Sequence, residues 1–133
     1  MAAGINILVN DGGAPCRIQK LGMAAANINA GTFVGISGVK VSAAILDNLP
    51  NHKQPVGVLF VDATADDPAS VITGSGSVVF LAAGSAAIAA GDKLGHDGDG
   101  LAVKITDADH FVSAVALEAK SGTHTDFVKA VLI

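Results

Sequence analysis

The chain has 133 residues, a formal net charge of −4, and a composition half apolar yet only 4% aromatic, without Trp or Tyr. That length fits one compact domain or two very small lobes. The eight basic residues never cluster and aromatic residues are scarce, which argues against a phosphate-neutralising patch, a base-stacking platform and nucleic acid as a partner. Cys16 is the one cysteine, which excludes an intrachain disulfide and a thiolate metal cluster.

The first ten residues, MAAGINILVN, lack the charged n-region and long apolar core of a secretory signal. No apolar run approaches the ~20 residues that span a bilayer, so the expectation is a soluble protein with no membrane partner. Residues 1–20 read as an extended arm outside the repeat described below. Within it Ile5, Ile7 and Val9 fall on one strand face, and Asn6, Leu8 and Asn10 on the other. An exposed strand of this kind invites pairing, either inside its own fold or by addition to a partner's sheet.

The remaining elements are short and rich in Val, Ile, Leu and Phe: 32–36, 39–42, 55–62, 77–82, 101–105, 111–118 and 127–133. Gly, Asp, Asn, Ser or Pro bounds each of them, which is the pattern of strands and tight turns. Strands at roughly ten-residue spacing predict an all-β barrel or sandwich. Two stretches, 42–48 and 85–90, have the Ala content and Ser starts expected of short helical turns.

An approximate internal repeat organises the chain. INAGTFVGISGVKV (28–41) aligns with IAAGDKLGHDGDGLAVKI (88–105), and VGVLFVDAT (56–64) aligns with VSAVALEAK (112–120). Each copy continues through a polar loop into a further strand, SVVFLA or FVKAVLI. The expectation is one domain, 1–133, with the arm at 1–20 and two similar β-units, 27–84 and 85–133, closing a small barrel or sandwich.

Little here suggests chemistry. His96, His110 and His124 recur every fourteen residues near several aspartates, but each falls in or beside a turn. They read as loop histidines rather than the convergent ligands of a zinc site. A calcium loop begun at Asp97 puts Leu101 and Ala108 where oxygens are required, so GHDGDG (95–100) reads as a hairpin turn. Cys16 has no adjacent base, Ser75 and Ser77 lie in a turn leading to a strand, and Glu118 sits at a strand end. The expectation is no enzyme, no metal, no cofactor and no small-molecule substrate.

The C-terminal half carries a resemblance. Gly91-Asp92-Lys93-Leu94, the Asp97-Gly98 turn, VSAVALEA (112–119), Ser121-Gly122 and VKAVLI (128–133) resemble the pattern of bacteriophage capsid decoration, or cement, proteins. One departure is Gly95, where that family usually has Tyr or Trp. The resemblance implies a β-rich structural virion protein on the outer surface of a phage head, made in the host cytoplasm. It implies a homotrimer that binds the major capsid protein and cements neighbouring subunits of the expanded capsid. The segment matched to capsid contact is the arm strand Ile5, Asn6, Ile7, Leu8 and Val9. The alternative is a subunit of a head fibre or another oligomeric β-scaffold.

Overall fold

Short aliphatic runs interrupted by Gly, Asp and Pro are too brief to nucleate helices but suit strands joined by tight turns. The computed structural model describes residues 17–43, 55–106, 112–122 and 126–133, and among them it has ten strands and no helix. Strands β1 (Ile18–Met23), β2 (Phe33–Ser37), β3 (Lys40–Ala43), β4 (Gly57–Leu59) and β5 (Pro68–Ile72) form one sheet in the order β1-β5-β4-β2-β3. Strands β6 (Val78–Ala83), β7 (Lys93–His96), β8 (Ala102–Lys104), β9 (Ala114–Ala116) and β10 (Asp126–Leu132) close a barrel in the order β10-β6-β8-β7-β9. The fold is all-β, as the strand spacing predicts.

The two sheets have the same wiring. β1 pairs with β5, β5 with β4, β4 with β2 and β2 with β3. In the barrel β6 pairs with β10, β10 with β9, β9 with β7 and β7 with β8. All of these pairs are antiparallel. A single parallel contact then joins first strand to third in each: Ala24 with Val41, and Ala83 with Ala102. The bridges outside the strands also correspond, Ile28 with Ala63 and Ile88 with Lys120.

This repeat differs from the sequence alignment in two details. SVVFLA, expected to end the first copy, is β6 and opens the second sheet, in the place that β1 holds in the first. The Lys40 and Lys104 match is also not positional, because Val41 and Ala102 share the bridging place. Lys40 stands one residue before the bridging Val41 and Lys104 two after the bridging Ala102, so the matched lysines are three places apart.

Alternation also explains the core. In the first sheet Val34, Leu59 and Val71 point inward, onto a cluster with Ala24, Ile28, Val41, Ala63 and Ala69. Their neighbours Phe33, Val58 and Ile72 point the other way and join the barrel's own core, among them Leu81, Leu94, Val128 and Leu132. Burying such side chains contributes roughly 1.5–3 kcal/mol each, so the outward row is a substantial part of what joins the sheets. The seam is tight at Gly31, whose φ is +86°. A Cβ added there would meet Phe127 Cε1 at 2.9 Å and Phe80 O at 3.0 Å. Hydrogen bonds from Ala82 N to Gly31 O and from Phe33 N to Gly100 O, both 2.9 Å, cross the same seam.

Residues 85–90 are not the helical turn expected of them. Ile88 is buried and exchanges two backbone hydrogen bonds with Lys120, at 3.0 and 2.8 Å. A six-residue Ala-rich run yields few helical bonds, and the cross-chain pair and the buried Ile88 outweigh its propensity. Of 42–48, Ser42 and Ala43 end β3 and the rest lies outside the described residues.

Candidate functional site

The GHDGDG turn joins β7 to β8. Asp97 N donates to Leu101 O at 2.9 Å, and Gly100, with φ +78°, turns the chain back. The Asp97 carboxylate faces its own backbone: Oδ1 accepts from Asp99 N at 2.8 Å and Leu101 N at 3.0 Å. This is the local Asx bonding that makes Asp a turn residue, and it supports the hairpin reading.

The histidine set is not brought together among the described residues. His96 is buried in β7, with its ring 6.5 Å from that of Phe33 and tilted by 56°. His110 and His124 lie outside the described residues. No group of three His, Cys, Asp or Glu side chains suited to a metal occurs among the described residues.

Other acids have backbone partners as well. Asp62 Oδ1 accepts from Ala30 N at 2.8 Å, Asp92 Oδ2 from Ala89 N at 2.8 Å, and Glu118 Oε1 from Lys129 N at 3.0 Å. Asp62 and Asp92 satisfy donors in the segments that lead into β2 and β7, and Glu118 satisfies one within β10. The buried Lys120 was not legible as special in the sequence. Its Nζ donates to Ser121 O at 2.8 Å and Ala86 O at 3.4 Å, tying together the loops at either end of the Ile88 bridge. The Asp66 carboxyl is held below its ordinary range by the hydrogen bond and charge of Lys40, 2.8 Å away at the surface.

Ser77 is buried in the turn between β5 and β6, its N–H donating to Gly74 O. A strand follows it, whereas a nucleophile elbow leads from strand to helix. A pocket of about 70 Å³ opens on the seam, lined by Phe33, Val58, Ile72, Ser113 and Leu132 among others. Small-molecule sites run to several hundred Å³, so this one is too small for a metabolite.

What the described residues present is surface. Leu21 and Met23 of β1, Ile36 of β2 and Val39 of the β2–β3 turn are exposed by 37, 48, 37 and 86%. The strand IQKLGM was not read as a strand, so this surface was not anticipated; its only signal was aliphatic residues at positions that a lone sheet would leave wet. The arm strand Ile5–Val9 lies outside the described residues, as does Cys16.

The comparisons with known proteins fall on the same ground. A family model described as phage cement protein matches residues 16–132. No curated protein matches the chain. Among solved structures, the crystal structure of the head fiber gp8.5 N base in bacteriophage phi29 is similar, at 18% identity and a TM-score of 0.59. That likeness covers 90% of this chain and 93% of the other, and it is a likeness of fold.

Proposed function

This chain belongs to the phage cement protein family, and from that premise we propose that it binds the outer surface of a phage head and clamps neighbouring major capsid protein subunits. A structural protein of the phage head is what the family membership establishes; the clamping of the expanded capsid is the reading proposed here. The observation that carries it is the family match across residues 16–132.

The physical features suit that work. Asp62, Asp92, Asp97 and Glu118 accept hydrogen bonds from backbone N–H groups, and the seam pocket is too small for a metabolite. The exposed aliphatic residues suit contact with other proteins. A cement must hold several subunits at once, and multivalent contact makes individually weak contacts add through effective concentration. A homotrimer of single-domain chains, each carrying the arm at 1–20, would supply that multivalency. The arm strand Ile5, Asn6, Ile7, Leu8 and Val9 is the proposed capsid contact, adding to an edge of a capsid sheet.

A second reading, a head fibre subunit, draws on the fold shared with the phi29 head fiber base. Co-sedimentation with emptied, expanded heads tests the first. The full chain is expected to pellet saturably, and the chain lacking residues 2–12 is expected to stay in the supernatant with an unchanged melting temperature. A full chain that never pellets contradicts capsid binding, and a truncation that pellets like the full chain moves the contact off the arm.

A further inference from the structure

The internal duplication leaves one binding surface used and its counterpart open. Within the chain, the first sheet docks on the barrel through Gly31, Phe33, Val58 and Ile72. The register identifies their counterparts in the barrel. Phe33 pairs with Val58 and Val58 with Ile72, as Lys93 pairs with Val115 and Val115 with Val131. Gly31 N donates to Leu59 O as Gly91 N donates to Ala116 O, and the two glycines have φ of +86° and +88°. Yet a Cβ added at Gly31 collides with the barrel, whereas at Gly91 it meets nothing within 4 Å. Among the described residues, the barrel therefore carries the docking row of the first sheet with nothing docked on it. Val115 and Val131 are half-buried there and Lys93 is exposed.

The receiving surface is duplicated too. On the barrel it includes Ala82, His96 and Gly100, which meet Gly31 and Phe33. Ala82 precedes the bridging Ala83 as Met23 precedes the bridging Ala24. His96 pairs with Ala102 as Ile36 pairs with Val41, and Gly100 stands two residues before Ala102 as Val39 stands two before Val41. The counterparts in the first sheet are thus Met23, Ile36 and Val39, all exposed and aliphatic. Their strands are adjacent: Ile36 pairs with Val41, Val41 bridges to Ala24 next to Met23, and a Cβ on Gly22 would lie 2.8 Å from Val39 O. An exposed apolar cluster of this sort marks an association surface, and the internal seam shows what shape fits it.

We propose that the barrel row of one copy, centred on Val115 and Val131, docks on the Met23–Ile36–Val39 surface of a second copy, repeating between molecules the seam that joins the two sheets within one. The contact is heterologous, so successive copies add head to tail until the ring closes or a filament grows. It deepens the assembly part of the proposed function, but it rests on the seam geometry and is tested without capsids, so its failure is separate from failure of capsid binding.

Light scattering on the full chain over a wide concentration range tests it. Wild type is expected to exceed the mass of a dimer. Val39→Glu and Val115→Glu are each expected to be monomeric, with Met23→Glu and Val131→Glu as a second pair should either fail to fold. An equimolar mixture of Val39→Glu and Val115→Glu is expected to give a dimer and nothing larger, because one intact row meets one intact surface. Three results overturn the proposal: a wild type monomeric at every concentration, variants that associate like wild type, or a mixture that stays monomeric. A monomeric wild type whose Val39→Glu variant loses only capsid pelleting assigns the surface to the capsid instead.

Discussion

In the first sheet β2, β4 and β5 are buried on both faces, with Val34, Leu59 and Val71 turned to one core and Phe33, Val58 and Ile72 to the other. In the barrel the matching strands β7, β9 and β10 bury one face, and the other carries Lys93, Val115 and Val131. The wiring is common and the burial is not, so side-chain size at the outward row decides which sheet serves as the docked partner. A Phe and an Ile there commit the first sheet to the seam, while a Lys and a Val keep the barrel's row partly hydrated.

The comparison is broken most severely at Phe33. Phe33→Ala removes a side chain 1% exposed and is expected to cost about 3–5 kcal/mol, as large-to-small changes in packed cores do. Lys93→Ala at the matching place is expected to change stability by less than ~0.5 kcal/mol. Chemical denaturation of both variants measures the contrast, and equal effects would deny that the rows differ in role.

A finer test uses the two glycines. Gly31→Ala and Gly91→Ala each force a side chain into a positive φ, a cost of roughly 1–2 kcal/mol. At Gly31 the Cβ also strikes Phe127 and the Phe80 carbonyl, adding an overpacking cost of about 1–3 kcal/mol. Denaturation midpoints should therefore fall further for Gly31→Ala, and the difference isolates the seam from the backbone.

The hairpins separate the sheets less. Asp97→Ala deprives two backbone N–H groups of their acceptor and is expected to cost roughly 1–2 kcal/mol. The β2–β3 turn has Ser37 and Gly38 at that point, with no carboxylate. Melting temperatures of wild type and of Asp97→Asn with Asp99→Asn are expected to be the same with added calcium or chelator, and a chelator-sensitive wild type would restore an ion to the turn.

The smallest effect belongs to Asp66, on the first sheet. Its folded carboxyl titrates below the unfolded one because Lys40 favours the charged form. Any stabilisation is therefore present above the ordinary carboxylate range and lost as pH falls through the lowered value. Both groups are exposed and salt screens them, so wild type and Asp66→Asn should melt together in high salt at every pH.

Much of this was legible in the sequence because short aliphatic runs between turn residues mark strands whatever their register. The strands at 33–37, 40–43, 78–83, 102–104 and 126–132 lie where Val, Ile and Phe cluster. β1, β5 and β7 were not legible. PASVI opens on a proline, IQKLGM mixes charge with aliphatics, and KLGH has Gly95 and His96 in the middle of a turn-like run. Each depends on a neighbour: β5 on strands to both sides, β1 on β5 through the irregularity at Lys20 and Gly22, and β7 on β8 and β9, with Gly95 buried opposite Val103. The repeat was visible, but its phase was not, since SVVFLA is equally apolar as the last strand of one copy or the first of the next. The burial of His96 against Phe33 is a contact across the seam, and local pattern does not encode such contacts.

The most direct test of the cementing role is the mechanical state of the head itself. Emptied and DNA-filled expanded heads, with and without the full chain, can be heated in a scanning calorimeter and followed by DNA release. Saturation with the chain is expected to raise the temperature of head disruption and delay release. Heads that bind the chain and yet rupture at the undecorated temperature would contradict cementing.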